Sequence, residues 1–351
     1  MKKTPLFGQT LNELRQTVAA LGEKPFVGNQ LADWLYKKDI LTFEAMNNLP
    51  KAFREKLEEN FTLGRSAPIA VQESVDGTKK YLFSTPSQHW IEAAYIPDKE
   101  RATLCVSSQA GCKMGCVFCM TGKQGFQANL TTGEILNQIK SLPEQHTLTN
   151  IVYMGMGEPF DNTANVLKSL EILTAAYGFE MSPKRITVSS IGILPGLLEF
   201  LHKSECHLAI SMHTPFEEER KQLMPIEKVY PIREIINKIR MADIGRQRRV
   251  SFEYILFDGF NDTPKHVKEI VRLLSGIRCR INLIRFHSIP GTSLKGTPET
   301  QMIWFRDALN KKGITATIRA SRGEDIYAAC GLLSTKTLHK NKENRIETPE
   351  E

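Results

Sequence analysis

The sequence predicts an α/β protein: strand–helix units forming a parallel sheet that is open or curled into a partial barrel, preceded by a small helical domain. Three observations predict it. From about residue 100, short β-rich runs alternate with segments of helical periodicity, a pattern that implies right-handed crossovers between parallel strands. Six or so such units are too few for a complete eight-stranded barrel, so a partial one is expected. Before residue 65 the apolar residues recur at helical spacing instead.

Taken in order, Thr10-Leu11-Asn12-Glu13 reads as a capping box opening a helix with Leu14, Val18 and Leu21 on one face, stopped by Gly22. A second helix fits Gln30 to Lys38 and a third Pro50 to Asn60, giving a helical domain over residues 1–65. Residues 66–99 read as a connecting β-hairpin, its strands at Tyr81–Phe83 and Trp90–Ile96. Over 100–333, strands are expected to end near Ser107, Met154, Ser190, Met212, Leu256, Phe286 and Arg319. Helices lie between them. Thr131-Thr132-Gly133-Glu134 caps one carrying Ile135, Leu136 and Ile139; Thr263-Pro264 opens another that Gly276 stops; Thr297-Pro298 opens a third ending at Gly313. The tail over 334–351 is polar and expected to be disordered.

With 41% hydrophobic residues in 351 the chain can bury a sizeable core, and no apolar run reaches the ~20 residues of a membrane helix. No signal-peptide apolar block follows Met1, so the expected compartment is the cytoplasm. The net charge of +7 suits a phosphate-rich partner and equally a mildly basic enzyme. Its denser basic groups are Lys37-Lys38, then Lys51, Arg54 and Lys56, then Arg246, Arg248 and Arg249. Seven cysteines, an odd number, argue against a disulfide framework and toward metal binding or catalysis.

Cys112, Cys116 and Cys119 stand at C-x3-C-x2-C spacing just after a predicted strand. Three local thiolates supply ligands to three of the four irons of a cubane cluster and leave one iron open to chelation. A zinc site completed by His213 is the competing reading. This spacing, with Phe118 before the third cysteine, resembles the radical S-adenosylmethionine superfamily. Leu104-Cys105-Val106-Ser107-Ser108-Gln109, Met154-Gly155-Met156-Gly157-Glu158-Pro159 and Ala328-Ala329-Cys330-Gly331 bring the resemblance closer. In this order they look like the adenine C2-methyltransferases of 23S ribosomal RNA and tRNA (RlmN type). Nearly the whole chain is covered, including Gly22-Glu23-Lys24-Pro25-Phe26.

The resemblance implies a partial (β/α)6 barrel with an N-terminal RNA-binding accessory domain. It implies one [4Fe-4S] cluster on Cys112, Cys116 and Cys119, and two molecules of S-adenosylmethionine per turnover. Cofactor contacts carry over to Gly157, Glu158, Ser189, Ser211, Met212 and His213, and to His287 where the family commonly has Asn. The glycines allow close backbone approach, and Glu158 can accept from the cofactor ammonium. Cys330 matches the methyl-accepting cysteine, Cys105 the resolving one and Glu92 the proton acceptor. Read by themselves, Cys105 and Cys330 are small buried apolar residues, the reading kept for Cys206 and Cys279. In the implied chemistry, Cys330 takes a methyl group, a radical made on that group adds to adenine C2, and Cys105 releases the product by forming a disulfide. The expected partners are 23S rRNA, tRNA and an electron donor, with the chain a monomer away from membranes. Two rivals stand beside this: the neighbouring C8-methyltransferases, which tend to have Ala where Pro159 stands, and a non-catalytic zinc-stabilised RNA-binding module.

Overall fold

The computed structural model describes residues 3–245 and 248–335. The N-terminal unit contains α1 (Leu11–Ala20), α2 (Val27–Ala32) and α3 (Lys51–Asn60). Thr10 and Glu13 form the expected capping box, Thr10 Oγ1 accepting from the Glu13 amide and Glu13 Oε2 from the Thr10 amide. The second helix differs from expectation: α2 begins earlier and passes into a π-helical turn over Asp33–Lys37. Leu6, Leu14, Val18, Leu31, Phe53 and Leu57 join the same apolar core as the barrel. Contact is close enough that a Cβ on Gly8 would meet the Gly133 amide at 2.4 Å, so α5 (Thr132–Lys140) seats directly on this unit.

One sheet of ten strands follows: β1 (Ala70–Glu73), β2 (Lys79–Ser84), β3 (Trp90–Asp98), β4 (Arg101–Cys105), β5 (Asn150–Tyr153), β6 (Ile186–Ser190), β7 (His207–Ser211), β8 (Val250–Leu256), β9 (Cys279–Arg285) and β10 (Thr315–Ile318). Their spatial order is their chain order. β1 to β4 pair antiparallel; β4 to β10 pair parallel through helical crossovers. The hairpin of residues 66–99 is thus an extension of the barrel sheet, with β1 as an added edge strand. All seven runs expected from residue 100 onward are the strands β4 to β10 or end just beyond them.

Curvature follows from the site. Cys105 and Arg319 sit at the ends of strands six places apart, about 29 Å in a flat sheet. They line a single cavity, so the sheet is curled into a partial barrel with its C-terminal strand ends facing inward. Between the strands lie α4 (Met120–Gln124), α5, α6 (Thr163–Thr174), α7 (Leu194–Lys203), α8 (Glu217–Leu223), α9 (Ile232–Met241), α10 (Pro264–Leu274) and α11 (Glu299–Lys311).

The expected tail falls mostly outside the described residues, as does Arg246. Its first two residues are ordered: Thr335 is buried, and Ser334 Oγ and the Thr335 amide both donate to Gln124 Oε1 at 3.1 and 2.9 Å. None of the described helices is long and apolar enough to cross a membrane.

Candidate active site

The three cysteines of the triad lie on the loop between β4 and α4. Gly111, at φ +72°, lets the chain turn where a Cβ would strike the Gly125 carbonyl at 1.7 Å. The Cys112 amide donates to that carbonyl, and the Cys119 amide to the Cys116 carbonyl. Cys112 and Cys116 are buried and Cys119 is half-buried. Burial pushes the Cys112 thiol up to about 12 and the Cys116 thiol well above its usual range, the latter helped by Cys119 and Cys112. Buried thiols of this kind ionise only where a cationic centre takes up their charge.

That requirement tests the fit of an iron–sulfur cluster. Among the described residues no three His, Cys, Asp or Glu side chains converge on one bare ion. A cubane asks for something else, one thiolate per iron around a shared volume. Cys112, Cys116 and Cys119 border one cavity together with Gly157, Glu158, Ser189, Ser211, His213 and Cys330, so the donor set fits. The zinc reading needs His213 as fourth ligand. Its Nδ1 accepts the Ile255 amide at 3.0 Å, which assigns the proton to Nε2 and leaves no lone pair for a metal. Burial, then Arg220, pulls this imidazole down to about 3, so it is neutral, with its ring set edge-on to Phe118.

Glu158 is buried, and burial raises its carboxyl to about 7 against the opposing hydrogen bonds of Ser190 and the backbone. Its Oε1 accepts from the Phe160 amide and its Oε2 from the Ile191 amide, both at 3.0 Å, which ties the tip of β5 to that of β6. Gly157 has φ +95°, and a Cβ there would meet Gln109 at 2.5 Å. Flanked by Ser211 and His213, which border the cavity, the Met212 side chain points the other way and is fully buried in the main core. The His287 side chain also lies outside this cavity. It borders the neighbouring cavity, with Nε2 3.0 Å from Ser321 Oγ and Nδ1 3.1 Å from Glu324 Oε1.

That neighbouring cavity is bordered by two further thiols, Cys105 and Cys330. Cys105 ends β4 and is buried, and burial, then Cys330, raises it to about 12. Cys330 is exposed and borders both cavities, so it stands between the triad and Cys105. Cys206 and Cys279 border neither and pack with the main core, as expected of small apolar residues. Glu92 is buried on β3, where burial raises its carboxyl against the pull of Lys80. It pairs with Lys80 Nζ at 3.2 Å and accepts the Ser334 amide at 2.9 Å.

Sequence reasoning missed three groups. Arg319, just past β10, borders both cavities, and its guanidinium is raised chiefly by the charge of Cys330. Its Nη1 lies 3.3 Å from Met154 Sδ and 3.6 Å from Glu253 Oε2. Glu253, on β8, is buried, with Oε1 held by Asn282 at 2.7 Å and Oε2 without a hydrogen-bond partner. The signal was a carboxylate inside the apolar run Val250–Leu256. Arg220, fully buried, pairs with Glu227 and donates to the carbonyls of Ile191, Ser211 and Met212.

Comparison with known proteins agrees with this arrangement. The Radical SAM superfamily profile matches residues 106–274, and that of the ribosomal RNA large subunit methyltransferase N-terminal domain matches residues 4–63. A probable dual-specificity RNA methyltransferase RlmN of Phocaeicola vulgatus is 58% identical over 97% of both chains. The dual-specificity RNA methyltransferase RlmN of Syntrophus aciditrophicus is 40% identical over 97% of this chain and 99% of its own. A crystal structure of a radical SAM methyltransferase from Sphaerobacter thermophilus superposes with a TM-score of 0.88 at 38% identity, covering 94% of this chain and 99% of that one. The chain belongs to the RlmN family of radical S-adenosylmethionine RNA methyltransferases.

Proposed function

We propose that this enzyme methylates adenine at C2 in 23S rRNA and in tRNA, with Cys330 carrying the incoming carbon. The observation that carries the reading is the placement of Cys330, which borders the cavity of the cysteine triad on one side and that of Cys105 on the other. Adenine C2–H is neither acidic nor nucleophilic, so displacement chemistry is not available there. A [4Fe-4S] cluster would be held by Cys112, Cys116 and Cys119, and with S-adenosylmethionine it would supply a methyl group and a hydrogen-abstracting carbon radical.

The chain's own residues do the rest. Gly157, Glu158, Ser189, Ser211 and His213 border the volume the cofactor would occupy. Cys330, exposed and next to the Arg319 guanidinium, is the nucleophilic thiolate that receives the methyl carbon. Glu92, whose buried carboxyl is the more basic for its burial, accepts the C2 proton. Cys105 attacks the Cys330 sulfur; an S–S bond forms, the S–C bond breaks with its electron pair staying on the methylene carbon, and that carbon takes up a proton to become the methyl group. An external dithiol reopens the disulfide before the next turnover, and a separate electron donor serves the cluster. Lys24 and the 60% exposed Phe26 give the N-terminal unit, residues 1–65, a cation and a stacking surface for RNA. Seven free cysteines suit a reducing cytoplasm, and the reading takes the chain as a monomer.

The test is product identity. Anaerobic incubation with RNA, reductant and S-adenosylmethionine should give 2-methyladenosine by mass spectrometry. Only 8-methyladenosine would move the enzyme to the neighbouring group.

A further inference from the structure

Glu92 opens onto a third cavity, of about 440 Å3, which lies within the ~300–1,000 Å3 of small-ligand sites. Lys80, Glu92, Met120, Ile289, Tyr327 and Ser334 are among its borders. Lys80 is a departure from rule: its side chain is 11% exposed, whereas lysine is rarely buried so far. Its ammonium meets Glu92 Oε1 at 3.2 Å at the cavity wall. The sheet register fixes where this pair points. Lys80 stands opposite Ala94, and Ala94 opposite Cys105. Directly opposed residues share a sheet face, so the ammonium, the carboxylate and the resolving thiol share one, with Lys80 and Cys105 two strand spacings or about 10 Å apart. A buried ion pair adds little to stability compared with an apolar pair of the same volume, so a charged pair bordering a substrate-sized cavity points to recognition.

The target has matching chemistry. Adenine C2 lies between N1 and N3, both acceptors, and attack at C2 moves electron density onto those nitrogens. We infer that Lys80 reads the base, donating from its ammonium to a ring nitrogen flanking C2 while Glu92 faces the C2 hydrogen. This inference rests on the C2 reading above. The ammonium orients the ring so that C2 is the carbon presented to Cys330, and its hydrogen bond draws density toward that nitrogen, which favours addition of a carbon radical at the adjacent carbon. C8 is flanked by N7 and by the glycosidic N9, which cannot accept, so an ammonium seated on N1 or N3 presents C2 and not C8 to Glu92. Lys80 is therefore a specificity-determining residue, and Tyr327, 67% exposed at the rim, offers a ring for stacking.

The experiment crosses protein and base substitutions, with short RNA hairpins carrying adenine, 1-deazaadenine or 3-deazaadenine at the target. Lys80→Met should lower the methylation rate on adenine by about 10²–10³-fold, the usual loss of a preorganised donor. Lys80→Arg should restore most of it. On one of the two deaza bases the wild-type rate should fall and Lys80→Met should cost nothing further, because the acceptor is gone. Iron content and methylation of Cys330 without RNA precede base binding and should match wild type. If Lys80→Met fails these controls, Lys80→Gln runs the same cycle. Unimpaired methylation by the charge-removing variant, or the same fold loss on all three bases, would overturn the inference. Wild-type enzyme that makes no 2-methyladenosine at all would instead overturn the C2 reading beneath it.

Discussion

Arg220 offers a quantitative test of what holds the cofactor side of the barrel together. Its guanidinium is fully buried, pairs with Glu227, and donates to the Ile191 and Ser211 carbonyls at 2.9 Å and to Met212 at 3.2 Å. Those carbonyls lie at or just beyond the tips of β6 and β7, beside Ser211 and His213. Arg220→Met keeps much of the aliphatic volume, so its effect is mainly electrostatic. Glu227 keeps the Ile232 amide as a donor, and breaking such a buried pair from one side costs about 3–5 kcal/mol. The Ile191 and Ser211 carbonyls lose the guanidinium as a donor while Met212 keeps the Thr214 amide, which adds roughly 1 kcal/mol and gives about 4–6 kcal/mol in all. That is a large share of the ~5–15 kcal/mol of a typical domain. In the double variant Arg220→Met with Glu227→Met no buried charge is left unpaired, so about 2–4 kcal/mol should return. Urea titration of anaerobically prepared protein, followed by circular dichroism, measures all three differences. A single variant within 1 kcal/mol of wild type, or a double variant less stable than the single, would refute the electrostatic account.

Four further outcomes are expected. Anaerobic protein should carry about four irons per chain, and Cys112→Ala, Cys116→Ala or Cys119→Ala should lose most of them; stoichiometric zinc with negligible iron would sink the cluster assignment. Glu158 has a folded pKa of about 7, above its usual 4.5, so the native state holds its proton while the unfolded state loses it, and its burial is destabilising as pH rises through that window. The Gln amide of Glu158→Gln loses one of the two backbone donors at every pH, but between pH 4.5 and pH 8 the stability of the cluster-free variant relative to wild type should rise by up to about 3 kcal/mol; a pH-independent difference in urea midpoints would contradict this. Arg319→Met should slow alkylation of Cys330 by iodoacetamide, since it removes the cation that borders both cavities beside that sulfur; an unchanged rate would remove Arg319 from the activation of Cys330. Cys105→Ala should accumulate a thioether-linked protein–RNA conjugate that survives denaturing gels with reductant and disappears when Cys330 is also replaced; clean turnover by the single variant would return Cys105 to a packing role.

Much of the parallel sheet was legible because strand and helix periodicities and cap residues are local signals. β1 was not, since all four of its side chains are exposed and no apolar alternation marks it. The π-helical turn at Asp33–Lys37 escaped notice because helical spacing in sequence does not tell i→i+4 from i→i+5 bonding. Among the site residues, the triad announces itself by spacing, whereas the environment of Glu92 depends on Lys80 across a strand and Ser334 from the far end of the chain. The surroundings of Met212 and His287 are equally invisible in the sequence. A residue can occupy the expected strand end and still face the core, or face a neighbouring cavity with both ring nitrogens engaged.

The two thiols outside the triad differ in a way their proposed roles require. A nucleophile that receives a carbon and then meets a base has to be reachable, and Cys330 is exposed on a segment bordering two cavities. A thiol that must wait until a carbon–sulfur link exists is better kept protonated, and burial holds Cys105 at about 12. Arg319 faces both, and its charge is balanced by Cys330 more than by Cys105. Once Cys330 becomes a thioether it carries no charge, and Cys105 is then the thiol left for the guanidinium to stabilise as thiolate. The same arginine thus favours ionisation of Cys105 once the carbon has arrived. Burial of Cys105 and the cation beside it support the proposed order of the two thiol steps.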